Sequence, residues 1–371
     1  MYSFLLLFLV PYIAVIIFLT LVYEKFWKLA EKNSFVSMAL TKYDNWCNEI
    51  GKQILNDPRD SPMIPHFITL TLFSPLLFVV SFFVQQYVLK EFSICAMILY
   101  HVLLLGPKFR NFAHINVLMH RNFHTYNKLL KTKINILEWF CGIFYGIVPE
   151  FYGTSHAIHH IEDNGKNDVL STLEFDKTNF FDFVKYIDRF AFGWTNLPNI
   201  KYFYDKGQYR KCLKLVTSVI VYYGIALYLF TINWKFCVGH YLIPQWFCII
   251  FLSAVSYMWH PFSDPELFVN TVTILDGQDN VFNEDYHVIH HLYPNLHWSK
   301  VPDKYVEDLE KYKKHNSPIF RDTQQIELFF LFMFKDYEKL ADKFVDLSET
   351  MTRDDKIKLL KERLEKNHKN Q

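Results

Sequence analysis

Five stretches of the chain lack charged side chains, and polar segments separate them. They are Met1–Tyr23, Ser61–Leu89, Phe92–Pro107, Leu215–Trp234 and Phe236–Ser263. A helix needs about 20 apolar residues to cross a bilayer core. Four stretches reach that length, and the one from Phe92 reaches it only if Lys108 extends its side chain to the interface. The pattern predicts membrane-spanning helices.

Short polar turns predict how these helices are connected. Lys90-Glu91 and Lys235 hold the only charges between neighbouring spans. Spans at about 64–89, 92–109, 213–234 and 236–259 are therefore expected to form two tight hairpins, each entering and leaving on one face.

The first stretch has Lys25 and Lys28 after it and no basic residue before it, the reverse of the charge order of a signal peptide. We expect a retained anchor with its N-terminus outside. Because Pro11 interrupts that stretch, an interfacial helix or a misjudged signal stays open.

Basic residues predict which face lies in the cytosol. Segments 24–63, 110–212 and 260–371 contain 35 of the 39 Lys and Arg residues, and such an excess marks cytosolic loops.

Formal net charge is only +1, which argues against a nucleic-acid partner. Another apolar stretch, 134–152, contains two glutamates, two glycines and a proline, and we expect a re-entrant or interfacial element there. The six cysteines form no Cys-x-x-Cys pair and are interpreted as reduced packing residues.

Histidines occur in three groups on the predicted cytosolic face: His120-Arg121-Asn122-Phe123-His124, His156-Ala157-Ile158-His159-His160 and His287-Val288-Ile289-His290-His291. On a helix, positions i, i+3 and i+4 lie on one side. Each group can therefore direct two or three imidazoles to one point. Neutral imidazole binds iron, copper or zinc, and eight such ligands exceed the needs of one ion. The sequence predicts two metal ions.

These boxes make the chain resemble the membrane fatty acid desaturase superfamily. The order His-x3-His, His-x2-His-His, His-x2-His-His and the 32 positions from His124 to His156 are similar to those of oleate desaturases. The run from Tyr286 to Trp298, with His-His-Leu-Tyr-Pro-Asn-Leu-His-Trp, also resembles the neighbourhood of the family's third box, and so do Glu162-Asp163-Asn164 and Ser171-Thr172 after the second. The resemblance covers residues 64–300, about two thirds of the chain.

The apolar pattern and the resemblance together imply a fold and a domain organisation. We expect an all-α, multi-pass transmembrane helical bundle, with two hairpins and an N-terminal anchor, carrying a cytosolic helical cap with a histidine-rich di-metal site. Residues 1–63 would form the anchor and a basic loop, and residues 64–300 a desaturase-like catalytic domain. Residues 301–371, dense in Lys and Glu with apolar residues at helical spacing, would form a charged cytosolic helical tail.

The resemblance also implies the metal ligands. It adds His260, 27 positions before His287, to the eight box histidines. Two iron ions would then be held by His120, His124, His156, His159, His160, His260, His287, His290 and His291. Where one branch of the family has an asparagine, this chain has Ser256, so that branch's pattern is not matched. No residue beyond the metal ligands is assigned a catalytic role. Supporting hydrogen bonds to the imidazoles are expected from Glu162, Asp163, Asp285 and His297.

The implied reaction is oxidation of a lipid. An unactivated C–H bond needs an oxidant made from O₂, and the resemblance implies desaturation of a lipid acyl chain in the endoplasmic reticulum. Two electrons must come from elsewhere, because the chain has neither a His-Pro-Gly-Gly haem motif nor a Gly-x-Gly-x-x-Gly loop. An external donor such as cytochrome b5 or a ferredoxin is implied. Two alternatives stay open: a hydroxylase or ketolase of an alkyl chain, sphingoid base or carotenoid, and a non-catalytic membrane metal-binding scaffold.

Overall fold

The structure is a computed structural model that describes residues 2–124, 137–262 and 271–369. Helices account for 75% of it. They are α1 (Tyr2–Glu31), α2 (Ser34–Ile54), α3 (Ile64–Ile68), α4 (Ser74–Phe83), α5 (Ile94–Leu105), α6 (Arg110–His124), α7 (Ala157–Glu162), α8 (Phe180–Trp194), α9 (Leu197–Asp205), α10 (Tyr209–Phe236), α11 (Ile243–Trp259), α12 (His287–Leu292), α13 (Val301–Glu307), α14 (Leu309–Lys314), α15 (Gln325–Met333), α16 (Tyr337–Lys343) and α17 (Arg353–Lys369). Two short strands are described, β1 (Thr273–Leu275) and β2 (Ile319–Arg321).

Three helical runs among the described residues are long and apolar enough to cross a membrane: Leu9–Glu31, Pro58–Val88 and Tyr209–Trp259. The last run has 51 residues, which is enough for two spans at about 20 residues each. The protein is therefore an all-α, multi-pass membrane protein, as the hydrophobic pattern predicted.

The chain divides into two compact units. Unit 1 comprises Met1–Tyr152 and Ile200–Cys248, and unit 2 comprises Gly153–Asn199 and Ile249–Gln371. Unit 1 contains the three apolar runs as far as Cys248. Unit 2 contains both strands and the second and third histidine boxes. Residues 134–136, at the start of the apolar stretch expected to be re-entrant, lie outside the described residues. The rest of that stretch forms short helical turns at Leu137–Cys141 and Gly142–Tyr145.

The second hairpin of unit 1 turns at Asn233, where the backbone leaves the helical region with φ −155° and ψ 95°. Contacts across the turn follow antiparallel order. Cys237 Sγ donates to the carbonyl oxygen of Ala226 (3.2 Å), and Tyr241 Oη donates to that of Tyr222 (3.1 Å). This geometry is that of the tight helical hairpin expected from the lone Lys235.

The second arm of the first hairpin is shorter than expected. Its turn is closed by Gln85, whose Oε1 accepts the backbone N–H of Ser93 at 3.0 Å. Helix α5 then runs only from Ile94 to Leu105, 12 residues, or about 18 Å at 1.5 Å per residue. A bilayer core is about 30 Å thick. The helix ends early because Pro107 cannot continue its hydrogen-bond ladder.

Buried polar side chains connect the helices of unit 1. Tyr12 Oη lies 2.5 Å from Nδ1 of His101, joining α1 to α5. Gln85 Nε2 lies 2.9 Å from Nε2 of His240, joining the first hairpin to the second. His101 and His240 are fully buried. Because lipid offers no hydrogen bonds, polar groups in a membrane bundle pair between helices, and this pairing accounts for both histidines.

In unit 2, the two strands pair in parallel, with Thr273 opposite Ile319. This small sheet attaches the C-terminal region to the segment before the third histidine box. A core of seven buried residues surrounds it: Leu275, Val288, Ile289, Val301, Tyr305, Tyr312 and Ile319.

The C-terminal helix α17 packs within unit 2. Leu360 and Leu364 are buried, and the guanidinium of Arg363 donates to the carbonyl oxygens of Asn316 (2.6 Å) and His315 (2.8 Å). These contacts use the apolar positions that predicted a helix in this tail.

Candidate metal centre

The third box lies on α12, whose six residues present two different faces. Val288 and Ile289 point into the core of unit 2. His287, His290 and His291 share the other side, as the i, i+3, i+4 spacing predicts, and all three are buried. Burial of the apolar face therefore holds the imidazoles in place.

The second box lies at the start of α7 and within it. The helix ends at Asp163, which takes a left-handed backbone conformation with φ 47°. His160 Nε2 lies 2.9 Å from Nε2 of His156 and 2.8 Å from Nε2 of His290 on α12. Two of the predicted boxes thus meet inside unit 2.

Two groups of imidazole nitrogens converge in unit 2. One comprises His156, His160 and His290, and the other His159, His260 and His291. Within each group the ligand atoms lie within 4.8 Å of one another. Nε2 of His159 is 3.2 Å from Nε2 of His260. His260, assigned from the resemblance alone, therefore lies in the second group.

The spacing of His159 and His260 in the second group fits a shared metal ion. At the ~2.1 Å metal–nitrogen length typical of imidazole ligands, two ligands of one ion lie about 3.0–3.4 Å apart for bond angles of 90–109°. The His159–His260 separation of 3.2 Å falls in this range. Nε2 of His291 is buried and has no hydrogen-bond partner among the described residues. A bound ion would satisfy it, since buried polar atoms rarely lack a partner.

Two carboxylates orient histidines of the second group. Nδ1 of His159 lies 2.6 Å from Oδ2 of Asp168, and both side chains are buried. Nδ1 of His291 lies 3.1 Å from Oδ1 of Asp163, whose side chain is 44% exposed. In each case the carboxylate can only accept, so Nδ1 carries the proton and a neutral ring keeps its lone pair on Nε2. That tautomer directs Nε2 to the site.

The surroundings of His159 and His291 shift the pKa values of these two side chains in opposite directions. Burial by itself would lower the pKa of His159, but the Asp168 carboxylate outweighs burial and raises the pKa above its usual value. Burial lowers the pKa of His291, and the Asp163 carboxylate only partly offsets it.

His287 lies beside the two groups without joining either. Its ring stacks on Trp259 at 4.6 Å between centroids and lies 4.9 Å from the ring of His291. The first box lies on α6 of unit 1. There, His120 and His124 are buried one helical turn apart, with ring centroids 5.0 Å apart.

The other residues expected to support the ligands have varied surroundings. The carboxylate of Asp285 accepts from the Gln325 side-chain amide at 2.8 Å, and burial raises its pKa to about 6. His297 caps the helical turn at Trp298–Lys300, where Nδ1 accepts the backbone N–H of Ser299. The carbonyl oxygen of Glu162 accepts the backbone N–H of Gly165 at 2.7 Å.

Sequence reasoning missed Asp168. It lies nine positions after His159 in a loop that has no helical period, so no spacing rule indicates the contact. Sequence reasoning also gave Ser256 no role. The Ser256 hydroxyl lies 2.8 Å from Tyr186 Oη. The Tyr186 hydroxyl in turn donates to the carbonyl oxygen of Leu170 at 2.9 Å.

A model of the fatty acid desaturase family matches residues 93–323. The chain belongs to this family. The matched segment contains all three boxes and His260, and it ends within the C-terminal region, after β2. Family membership makes the protein a membrane oxidoreductase of the desaturase and oxygenase type, and the converging histidines are compatible with a metal centre. A search of curated proteins and a search of solved structures each gave no match.

Proposed function

We propose that the protein is a di-iron oxygenase that introduces a double bond into a lipid acyl chain, using O₂ and two electrons from an external donor. The observation that supports this most directly is the convergence of two three-nitrogen groups, all imidazole, within a chain of the desaturase family. An all-nitrogen donor set suits iron, copper or zinc rather than magnesium or calcium.

The proposed ligand set has nine members. Six are the histidines of the two groups in unit 2. His120, His124 and His287 are added because their boxes match the family pattern, and because His120 and His124 are buried on one face of α6. When bound, two irons would supply the oxidising power that C–H cleavage needs.

The chain's own residues would prepare the site in three ways. Asp163 and Asp168 accept Nδ1–H of His291 and His159, which turns Nε2 of each ring toward the site. Burial of the imidazoles keeps bulk water away from the place where oxidation occurs. The apolar runs of unit 1 anchor the enzyme in the bilayer that dissolves its substrate.

We further propose the endoplasmic reticulum as the location, with the histidine boxes facing the cytosol. The distribution of Lys and Arg supports this orientation. Cytochrome b5 or a ferredoxin-type protein would then reach the site from the cytosol. Residues 64–300 are proposed as the catalytic domain, with the anchor before it and the helical tail after it.

The test is a lipid profile by mass spectrometry in a desaturase-deficient host. Wild type is compared with His160→Ala, which removes the imidazole shared by the closest contacts of the first group. A new species two hydrogens lighter, seen only with wild type, is the expected result. A species heavier by one oxygen would show a hydroxylase instead.

Purified wild type supplies the second measurement. If no new lipid appears and the protein also binds no iron when loaded anaerobically, the proposal is wrong. If the thermal stability of the protein is also the same with and without a chelator, and the protein inserts normally into the membrane, these results would favour a non-catalytic scaffold.

A further inference from the structure

Asp168 lies in the loop between α7 and α8, and its carboxylate is buried against the second metal-binding group. Oδ2 is 2.6 Å from Nδ1 of His159, and the side chain has no exposed surface. The other oxygen, Oδ1, accepts the backbone N–H of Leu170 at 2.8 Å. Both carboxylate oxygens are therefore used, one by the loop itself and one by a proposed metal ligand.

Helix α8 holds this part of the loop from the outside. The guanidinium of Arg189 donates to the carbonyl oxygens of Asp168 (3.3 Å) and Val169 (3.2 Å). The hydroxyl of Tyr186 donates to the carbonyl oxygen of Leu170. Three consecutive carbonyl groups on the loop thus accept hydrogen bonds from two side chains of one helix.

Close packing and a second set of hydrogen bonds complete the support. A Cβ added at Gly193 would lie 3.0 Å from Leu170 Cδ2 and 3.2 Å from Val169 Cγ1, so the loop packs closely against α8 at this point. On the other side, Oδ1 of Asn164 accepts the backbone N–H of Thr172 at 2.8 Å. The loop is tied at both ends, which fixes the position of the carboxylate.

We propose that Asp168 is a positioning residue, which accepts Nδ1–H of His159 and so holds Nε2 of that ring toward the metal. The inference rests on the proposed di-metal function and deepens it: the loop held by α8 makes the buried Asp168, and not the exposed Asp163, set the metal affinity of the second group. A buried carboxylate also adds negative charge close to a cation. Removing a hydrogen-bond partner of a metal-ligating histidine typically lowers metal affinity 10–100-fold.

Asp163 offers a matched comparison within the same group. It makes the same kind of contact with His291, but at 3.1 Å and with 44% of its side chain exposed. Water screens an exposed charge and can replace its hydrogen bond. Asp168 should therefore matter much more than Asp163.

The experiment measures metal binding in the full-length protein, purified in detergent and stripped with a chelator. Co²⁺ is the probe, because its visible absorption reports both occupancy and ligand geometry. In Asp168→Asn an NH₂ donor replaces one of the two accepting oxygens, so either Nδ1–H of His159 or the backbone N–H of Leu170 loses its acceptor. We expect Co²⁺ binding to weaken 10–100-fold in one of two phases, with an altered spectrum at saturation. Asp163→Asn should stay within about threefold of wild type.

Thermal unfolding of the metal-free proteins separates positioning from simple damage. If Asp168→Asn binds Co²⁺ like wild type, with the same spectrum, the inference is wrong. It is also wrong if affinity falls only in proportion to a loss of metal-free stability, with an unchanged spectrum. Wild type that binds no metal at all would instead contradict the proposed function.

Tyr186→Phe covers the case in which Asp168→Asn does not fold. This variant removes the hydroxyl that holds the Leu170 carbonyl and contacts Ser256, and it keeps the ring packing. A two- to fivefold loss of Co²⁺ affinity is expected. Unchanged affinity would overturn the inference, because the loop would then not transmit its position to His159.

Discussion

Nε2 of His159 lies 3.2 Å from Nε2 of His260, although the two residues are 101 positions apart. His159 belongs to the second histidine box, whereas His260 directly follows the last turn of α11. Two neutral imidazoles with lone pairs facing each other at this distance repel unless a proton or a cation lies between them. Asp168 keeps the proton of neutral His159 on Nδ1, so the group between the two nitrogens is either a proton carried by His260 or a bound cation.

We expect His260→Ala to lose about half of the bound metal. The second group then keeps two nitrogens of three, which is too few for tight binding of a first-row metal ion. Iron per protein, measured by elemental analysis after anaerobic loading, provides the test. His315→Ala is the control, because His315 follows α14 and lies in neither group. Undiminished iron in His260→Ala would contradict its assignment as a ligand.

A second prediction concerns backbone packing in unit 1. Gly146 has φ +78°, and a Cβ added there would lie 2.1 Å from the backbone nitrogen of Gln245. Gly146→Ala should therefore destabilise the protein by more than about 1 kcal/mol. Gly224→Ala is the matched control, since nothing lies within 4 Å of a Cβ added in that helix. It should be neutral or stabilising by up to about 1 kcal/mol. Equal thermal stability of the two variants would show that the close approach is not present.

A third prediction follows from the buried lysine of unit 2. Nζ of Lys177 donates to the carbonyl oxygens of Thr172 and Phe175 and lies 4.9 Å from the Tyr257 ring centroid. Burial lowers the pKa of Lys177 from 10.5 to about 7. Between these values the unfolded chain binds a proton that the folded protein does not. This residue therefore makes stability rise with pH from about 7 toward 10.5, by about 1 kcal/mol per pH unit.

Unfolding of wild type and Lys177→Met at pH 7.5 and 9.5 tests this expectation. The rise in unfolding free energy between the two pH values should be smaller in the variant. Lys185→Met, which changes a lysine with a 69% exposed side chain, should behave like wild type. The same pH dependence in all three proteins would contradict a buried, neutral Lys177.

A fourth prediction concerns topology. The positive-inside pattern places Lys90, in the turn of the first hairpin, on the face opposite to Lys52 at the end of α2. In a Cys95→Ser background, an impermeant maleimide added to sealed vesicles with the cytosolic face outward should label Lys52→Cys and not Lys90→Cys. Labelling of both before detergent is added would show that the hairpin does not cross the bilayer.

Local periodicity determined the membrane runs and the histidine faces. A charge-free stretch of about 20 residues is the length that a helix needs to cross a bilayer core. The long apolar runs were therefore predictable from local composition. The i, i+3, i+4 spacing likewise places His287, His290 and His291 on one side of α12, whatever the rest of the fold is. These features depend on neighbours within a few residues along the chain, and for that reason sequence reasoning found them.

Tertiary structure decided which imidazoles meet and what supports them. The pairing of His159 with His260 and the parallel pairing of β1 with β2 join segments far apart in sequence. The Asp168 contact spans only nine positions, but it depends on a loop folded against α8. No periodic pattern encodes such a loop, because its position results from hydrogen bonds to Tyr186 and Arg189 and from close packing at Gly193. Thus the sequence by itself determined the kinds of ligand and the faces they occupy, and long-range packing decided their grouping and orientation.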